Sequence, residues 1–339
     1  MSITQVRVAV VGYGNVGRAV ALALQQNSDT ELIAILSRSP KRVSEELSKS
    51  PALKSANVQV AAIDDEQILS KIDVAILCGG SKDDLPKQGP LFASKIHTVD
   101  SYDNHSKIPE YFAAVDVVAK KHGKVSVISA GWDPGTFSLE RVVANAIIPD
   151  AKTYGFYGVS PQGGLSMGHS DALRTIDGVK DARQYTHAIP EAIEKVRRGE
   201  NPTLTPGDMH WRECFIVLED GADAKKIEQA IVTMPGYFAP YKTTIHFITE
   251  KELHEKYSGM PHDGLVIGAG KLGGGEMAVV EYRNTWQSNA AGTAHILVAH
   301  TRAAYRLAKE GRSGAFTILD IPPAYLSPKS RDELLKDFV

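Results

Sequence analysis

Cysteine is almost missing from this chain. Cys78 and Cys214 are the two cysteines in 339 residues, too few for a disulfide framework and in keeping with a reducing compartment, so the cytoplasm is the expected location. An excess of one charge is missing too. The formal net charge is −2, and no general attraction to nucleic acid or anionic lipid is expected. No apolar run approaches the ~20 residues that cross a bilayer, and no signal peptide precedes the first charged, strand-like sequence; no membrane partner is expected. The histidines form no H-E-x-x-H pattern and no Cys pair accompanies them, so no metal is expected. A G-x-S-x-G nucleophile elbow, internal repeats and low-complexity tracts are all lacking. What is left is ordinary globular material, 43% hydrophobic and 23% charged, in a length that suggests two domains.

Against these absences stands "VRVAVVGYGNVGRAV", residues 6–20. A β-branched, nearly continuous apolar run leads into Gly12, Gly14 and Gly17 at G-x-G-x-x-G spacing, and Val16, Val20, Ala23 and Leu24 then recur at helical spacing. In that context the glycines let backbone N–H groups at a helix N-terminus face a pyrophosphate; a glycine-rich turn without a ligand is the alternative. The next strand, "ELIAILS", ends at Ser37-Arg38-Ser39, followed by Lys41 and Arg42. An NAD site carries an acid there for the ribose 2′-OH, whereas a hydroxyl and a guanidinium suit a 2′-phosphate, which favours NADP. A solvated basic loop is the competing reading.

Further strand-like runs at 58–63, 74–80, 97–102 and 125–131 alternate with helical patterns, which implies an α/β fold with a Rossmann-type doubly wound parallel sheet. Ligands in such sheets lie beyond the carboxyl ends of the strands, so "CGGS", "SYDNH" and "AGWDPG" are the segments to inspect. Asp100, Asp103 and Asp133 stand there, placed either to hold and deprotonate an ammonium group or to close Asx turns and cap helices. After residue 131 the pattern changes to "YGFYGVS", "RQYTHAI", "CFIVLED", "TTIHFIT" and "MAVVEYRN", a second α+β domain interrupted by the loop-like "SPQGGLSMGHS" at 160–170. The expected division is 1–131, completed by a returning 305–339, against 132–304. Cys78, at the end of an apolar strand, reads as a buried inert thiol.

Taken together, "VGYGNVGR", "SR", "ILCGGS", "DSYDNH", "GWDPGTFS", "MGHSDA", "RECFIVLE", "GMPH" and "LSPKS" resemble the meso-diaminopimelate dehydrogenase family nearly end to end. The resemblance implies an NADP-dependent oxidoreductase. It would deaminate the D-centre of meso-2,6-diaminopimelate reversibly to L-2-amino-6-oxopimelate, ammonia and NADPH in lysine biosynthesis, as a homodimer. It implies a cofactor site of Gly12, Tyr13, Gly14, Asn15, Val16 and Gly17, then Ser37, Arg38 and Ser39, Cys78, Gly79, Gly80 and Ser81, Ser101, Tyr102 and Asp103, and Ala130, Gly131, Trp132, Asp133 and Pro134.

Asp103 and Asp133 would act on the reacting amino group, with Trp132 and Tyr157 alongside. Met167, Gly168, His169, Ser170 and Asp171 would form a substrate loop, and Thr186, Arg212, His262 and Asn289 would hold the distant L-amino-acid end. This sequence departs from the family in Ser39, where a second Arg is usual, in Met167, where many relatives have Gln, and in the residues after Asn289. A related reductase or D-amino-acid dehydrogenase on another dicarboxylate, or a non-catalytic NADP-binding regulator, are the competing functions.

Overall fold

A computed structural model of the chain describes residues 5–50, 53 and 57–339. It divides into two compact units, Met1–Leu139 with Ala290–Val339, and Glu140–Asn289. These boundaries differ from the expected 131/132 and 304/305. The return to the first unit begins at residue 290, because the helix Asn289–Lys309 packs there along its length.

The first unit is built on strands β1 (Val6–Val11), β2 (Thr30–Ser37), β3 (Gln59–Ala62), β4 (Val74–Leu77), β5 (His97–Asp100), β6 (Val125–Val127) and β14 (Gly314–Phe316). They form one parallel sheet in the order β14-β6-β5-β4-β1-β2-β3. Alternate residues of β1 face opposite cores: Val8 and Val10 join one apolar cluster, Ala9 and Val11 the other. That burial on both faces explains why the strand reads as an unbroken apolar run. Helix Asn289–Lys309 gives Ala294, Leu297, Val298, Ala303, Ala304 and Leu307 to the first cluster. It is anchored by Arg302, whose Nε and Nη2 donate to the two oxygens of buried Asp29 at 2.5 and 2.7 Å. Removing one partner of such a buried pair costs about 3–5 kcal/mol.

The second unit holds β7 (Thr153–Tyr157), β8 (Gly164–Leu165), β9 (Val179–Ala188), β10 (His210–Leu218), β11 (Thr243–Phe247), β12 (His262–Lys271) and β13 (Met277–Trp286). Among the described residues these make a mixed sheet ordered β11-β10-β9-β8 and an antiparallel sheet ordered β13-β12-β7. Strand β12 was hidden in the sequence by Gly264, Gly268 and Gly270. Gly270 is a packing requirement: a Cβ there would lie 2.9 Å from Ile148 Cγ2.

The segment 160–170 is not a plain loop. Residues Gly164–Leu165 pair with β9, and a helix, Met167–Arg174, opens within it, with the Ser166 hydroxyl accepting from the His169 N–H. Met167, Gly168, His169, Ser170 and Asp171 therefore sit on the first turns of a helix, fixed by a serine cap. The apolar stretch 315–321 is a strand only at its start, in Gly314–Phe316, before a 3-10 turn at Ile318–Asp320. No helix among the described residues is long and apolar enough to cross a membrane.

Candidate active site

The glycine-rich turn is shaped for close backbone approach. Gly12 has φ +91°, a conformation costly for any residue with a Cβ. A Cβ on Gly17 would lie 2.1 Å from the Gly12 carbonyl oxygen, so helix Asn15–Gln25 starts hard against the turn. Gly14, at the N-cap of that helix, meets nothing within 4 Å. The cap has no side-chain acceptor and the first turn no acid, which leaves backbone N–H groups open to an anion. Tyr13 packs its ring into the core, so only its backbone remains for a ligand.

At the end of β2, Ser37 Oγ accepts from Ser39 N–H at 3.1 Å, and Arg38 is mostly exposed with Nη1 3.1 Å from Asp84 Oδ1. The other Asp84 oxygen accepts from the Gly80 N–H at 3.1 Å, and Gly79 has no room for a Cβ beside Asp84 and Gln88. Burial pushes the Cys78 thiol up to about 12, with Asp100 adding to the shift.

Asp103 is exposed and its N–H donates to Ser81 Oγ at 3.1 Å. Tyr102 is buried and stacked on Tyr111, ring centroids 4.1 Å apart. The turn 130–135 is tightly folded: Gly131 N–H donates to the Pro134 carbonyl at 3.0 Å, the Asp133–Pro134 bond is cis, and buried Trp132 lies 4.6 Å from the Phe137 ring. Asp133 is half-buried. A Cβ on Gly131 would lie 3.1 Å from Ser101 Cβ, so the two strand-end segments touch.

In the second unit, Arg212 is 6% exposed and Thr186, its register partner across β9 and β10, accepts from its Nη1. The guanidinium lies 4.0 Å over the Tyr241 ring, its Nε finds no partner among the described residues, and no carboxylate appears among the charges acting on it. Burial lowers its pKa.

Three histidines surround this cation. Burial, then the Arg212 charge, hold His169 and His210 down to about 3; burial takes His262 to about 4, opposed by its bond to the Asp263 carbonyl. His210 Nε2 accepts from the Tyr157 N–H at 2.9 Å, which assigns its proton to Nδ1, and the Tyr157 ring stacks on it at 5.3 Å. Tyr157 also stands edge-on to His262 at 6.3 Å. A Cβ on Gly164 would lie 2.4 Å from His262 Nδ1. His169 Nδ1 is 2.8 Å from Ser166 Oγ.

The other expected substrate residues divide. Asn289 Nδ2 donates to the Leu165 carbonyl at 3.2 Å. Ser170 is buried and its hydroxyl is engaged with Ser166 O and Gln184 N–H. Met167 packs beside Leu165, Tyr185 and Phe215, Asp171 is exposed and paired with Arg174, and Gly168 is exposed.

His210 and Tyr241 were not singled out in the sequence. His210 was within reach, because a two-residue offset from Arg212 on a strand puts it on the same face; Tyr241 comes from a loop beyond any local pattern. Both cysteines are free, and no cluster of metal-binding side chains is found among the described residues.

The strand order of the first unit and its glycine turn define a Rossmann-type dinucleotide-binding domain. Residues 8–124 match the saccharopine dehydrogenase NADP binding domain, and residues 131–288 the diaminopimelic acid dehydrogenase C-terminal domain. The chain is 51% identical over 336 residues to the meso-diaminopimelate D-dehydrogenase of Lysinibacillus sphaericus, covering 98% of this chain and 99% of the relative. It is similar to the crystal structure of a meso-diaminopimelate dehydrogenase mutant of Clostridium tetani with DAP, at TM-score 0.89 and 46% identity over 99% of this chain and 100% of that one. An engineered D-amino acid dehydrogenase bound to NADP+ matches at TM-score 0.86 and 40% identity, over 99% and 100%. The chain belongs to the meso-diaminopimelate D-dehydrogenase family.

Proposed function

We propose that this protein is an NADP-dependent meso-2,6-diaminopimelate D-dehydrogenase, which converts the D-centre to L-2-amino-6-oxopimelate with release of ammonia, in the cytoplasmic route to lysine. The observation that carries the reading is Arg212: a buried guanidinium whose Nε has no partner, and which no carboxylate acts on, among the described residues is costly, and a ligand carboxylate removes that cost. Thr186, His262 and Asn289 complete a donor set for the L-amino-acid end. With the three histidines held neutral, Arg212 supplies a positive charge that a ligand carboxylate can match.

The first unit, 1–139 with 290–339, takes the cofactor and the second unit binds substrate. Gly12 to Gly17 would hold the pyrophosphate, and Ser37 with Arg38 the 2′-phosphate; Ser39 offers a hydroxyl where relatives have a second guanidinium. Bound NADP+ supplies a hydride acceptor. Asp103 and Asp133 accept hydrogen bonds from the D-amino group, and one of them takes its proton directly or through water as the C–H bond breaks. Water then adds to the iminium carbon and ammonia leaves. Exposed Val142, Ile147, Leu272, Met277 and Val279 on the second unit favour a homodimer. NADPH formation with meso-diaminopimelate against its LL and DD isomers tests the assignment. Turnover confined to isomers with a D-centre, fastest for meso, is expected; equal rates with LL would overturn it.

A further inference from the structure

Asp100 ends β5 with a carboxylate only 1% exposed, and nearly everything bound to it belongs to the segments that follow β5 and β6. One oxygen accepts from the Tyr102 N–H at 2.9 Å and from the Ser129 N–H at 3.1 Å; the other accepts from the Tyr111 hydroxyl at 2.7 Å. Its backbone carbonyl accepts from the Ala130 N–H at 2.8 Å. We propose that Asp100 is a positioning residue that ties together the two strand-end segments bearing Asp103 and Asp133, a role that rests on those aspartates meeting the reacting amino group.

The bonding pattern separates this from a packing role. A buried carboxylate is costly unless its hydrogen bonds are satisfied, and an apolar side chain would fill the same space with less desolvation. The donors are one backbone N–H from each segment and the Tyr111 phenol, whose acceptor is this carboxylate. Ser129 is held at φ +52°, a region that non-glycine residues enter at a cost, and its hydroxyl has no partner among the described residues, so the constraint acts through its N–H. Tyr111 is itself fixed. It stacks on Tyr102, and Gly89 clears its hydroxyl, where a Cβ would come within 2.1 Å. From Ser129, the segment runs directly through Gly131 and Trp132 to Asp133; from Tyr102, the next residue is Asp103.

The test uses the full-length enzyme with Trp211→Phe and Trp286→Phe, which leaves Trp132 as the sole tryptophan of three. Asp100→Ala, Asp100→Asn and Tyr111→Phe are compared for kcat, for cofactor affinity, and for acrylamide quenching of Trp132. Misplacing reacting groups by a fraction of an ångström is expected to lower kcat by about tenfold or more in Asp100→Ala, with quenching raised roughly twofold and cofactor affinity falling by less than kcat. Asp100→Asn keeps the oxygen shared by the two N–H groups and should restore both readouts. A folded Asp100→Ala enzyme with parental kcat and quenching overturns the proposal, as does an Asn variant as impaired as Ala. If the Ala variant does not fold, Tyr111→Phe decides, with a smaller loss of kcat and raised quenching expected and parental values overturning. If the parental enzyme does not oxidise meso-diaminopimelate, the functional reading fails, while quenching still reports whether Asp100 holds the segments.

Discussion

Arg212 donates across the β9–β10 pair to the hydroxyl of Thr186, its direct register partner, while its Nε is left without an acceptor among the described residues. The cation is thus oriented by the fold with part of its donor capacity unused. Arg212→Met keeps the length and removes both charge and donors. It should raise KM for meso-diaminopimelate strongly and also lower kcat, by about 3 kcal/mol or more in kcat/KM together, with NADP affinity unchanged. Steady-state kinetics on the purified variant check this; an unchanged kcat/KM would remove Arg212 from the substrate site.

Arg38 stands at the end of β2 with one nitrogen on Asp84 and most of its surface exposed. Arg38→Ala should weaken NADP far more than NAD, by about 1.5–3 kcal/mol, or ten- to a hundredfold. Fluorescence titration with both reduced cofactors measures it, and equal losses for the two would count against a 2′-phosphate contact.

Both thiols are pushed up to about 12 by burial, so neither is a thiolate near neutrality. The double variant Cys78→Ala, Cys214→Ala should retain turnover, and iodoacetamide should label the native enzyme slowly. Loss of kcat in folded Cys78→Ala with normal cofactor affinity would require a thiol in the chemistry.

The histidines around Arg212 make stability fall in acid. His210 is held at about 3 against an ordinary 6.5, so between those values the unfolded chain binds the extra proton and stability drops as pH falls through that window. His169 and His262 act in the same sense. Asp100 opposes them: its carboxyl is raised to about 6 from 3.8, so the folded chain binds the proton there and its contribution is largest below 3.8 and lost as pH rises through 6. Urea midpoints measured from pH 7 to 4 should therefore decline. His210→Gln, which offers Tyr157 N–H an oxygen and does not titrate, should show a shallower decline than the parent.

A last substitution probes packing at the site. Gly164→Ala places a methyl where the His262 ring lies, so that ring must move. KM for substrate should rise by about fivefold or more without a change in cofactor affinity, and isothermal titration of each ligand separates the two effects.

Much of the first unit is legible in the sequence because both faces of its sheet are buried and its ligand turn needs glycines at fixed offsets. The second unit is less so. Strand β12 carries three glycines, of which Gly270 is held small by Ile148, and they erase the apolar pattern a buried strand normally shows. The helix Met167–Arg174 hides behind Gly- and Ser-rich sequence, since its start is decided by one serine cap and by β8 pairing with β9. Arg212 and His262 stand out as strand residues with unusual chemistry, but what sets their state, Tyr241 and His210 among others, is assembled by tertiary contact.

Among the described residues, the parallel sheet that opens with the first strand closes only with the last. Strand β14 pairs with β6, and helix Asn289–Lys309 covers Val8, Val10 and Val20 from the same apolar cluster. During translation, six strands of that sheet therefore leave the ribosome with an unpaired edge at β6 and one apolar face lacking its cover, while residues Glu140–Asn289 are synthesised as a contiguous block with every one of their strands. The half that is made first is finished last. A nascent chain stalled before residue 290 would display the uncovered valines as a natural client surface for chaperones, and would mature only on release of the C-terminal fifty residues.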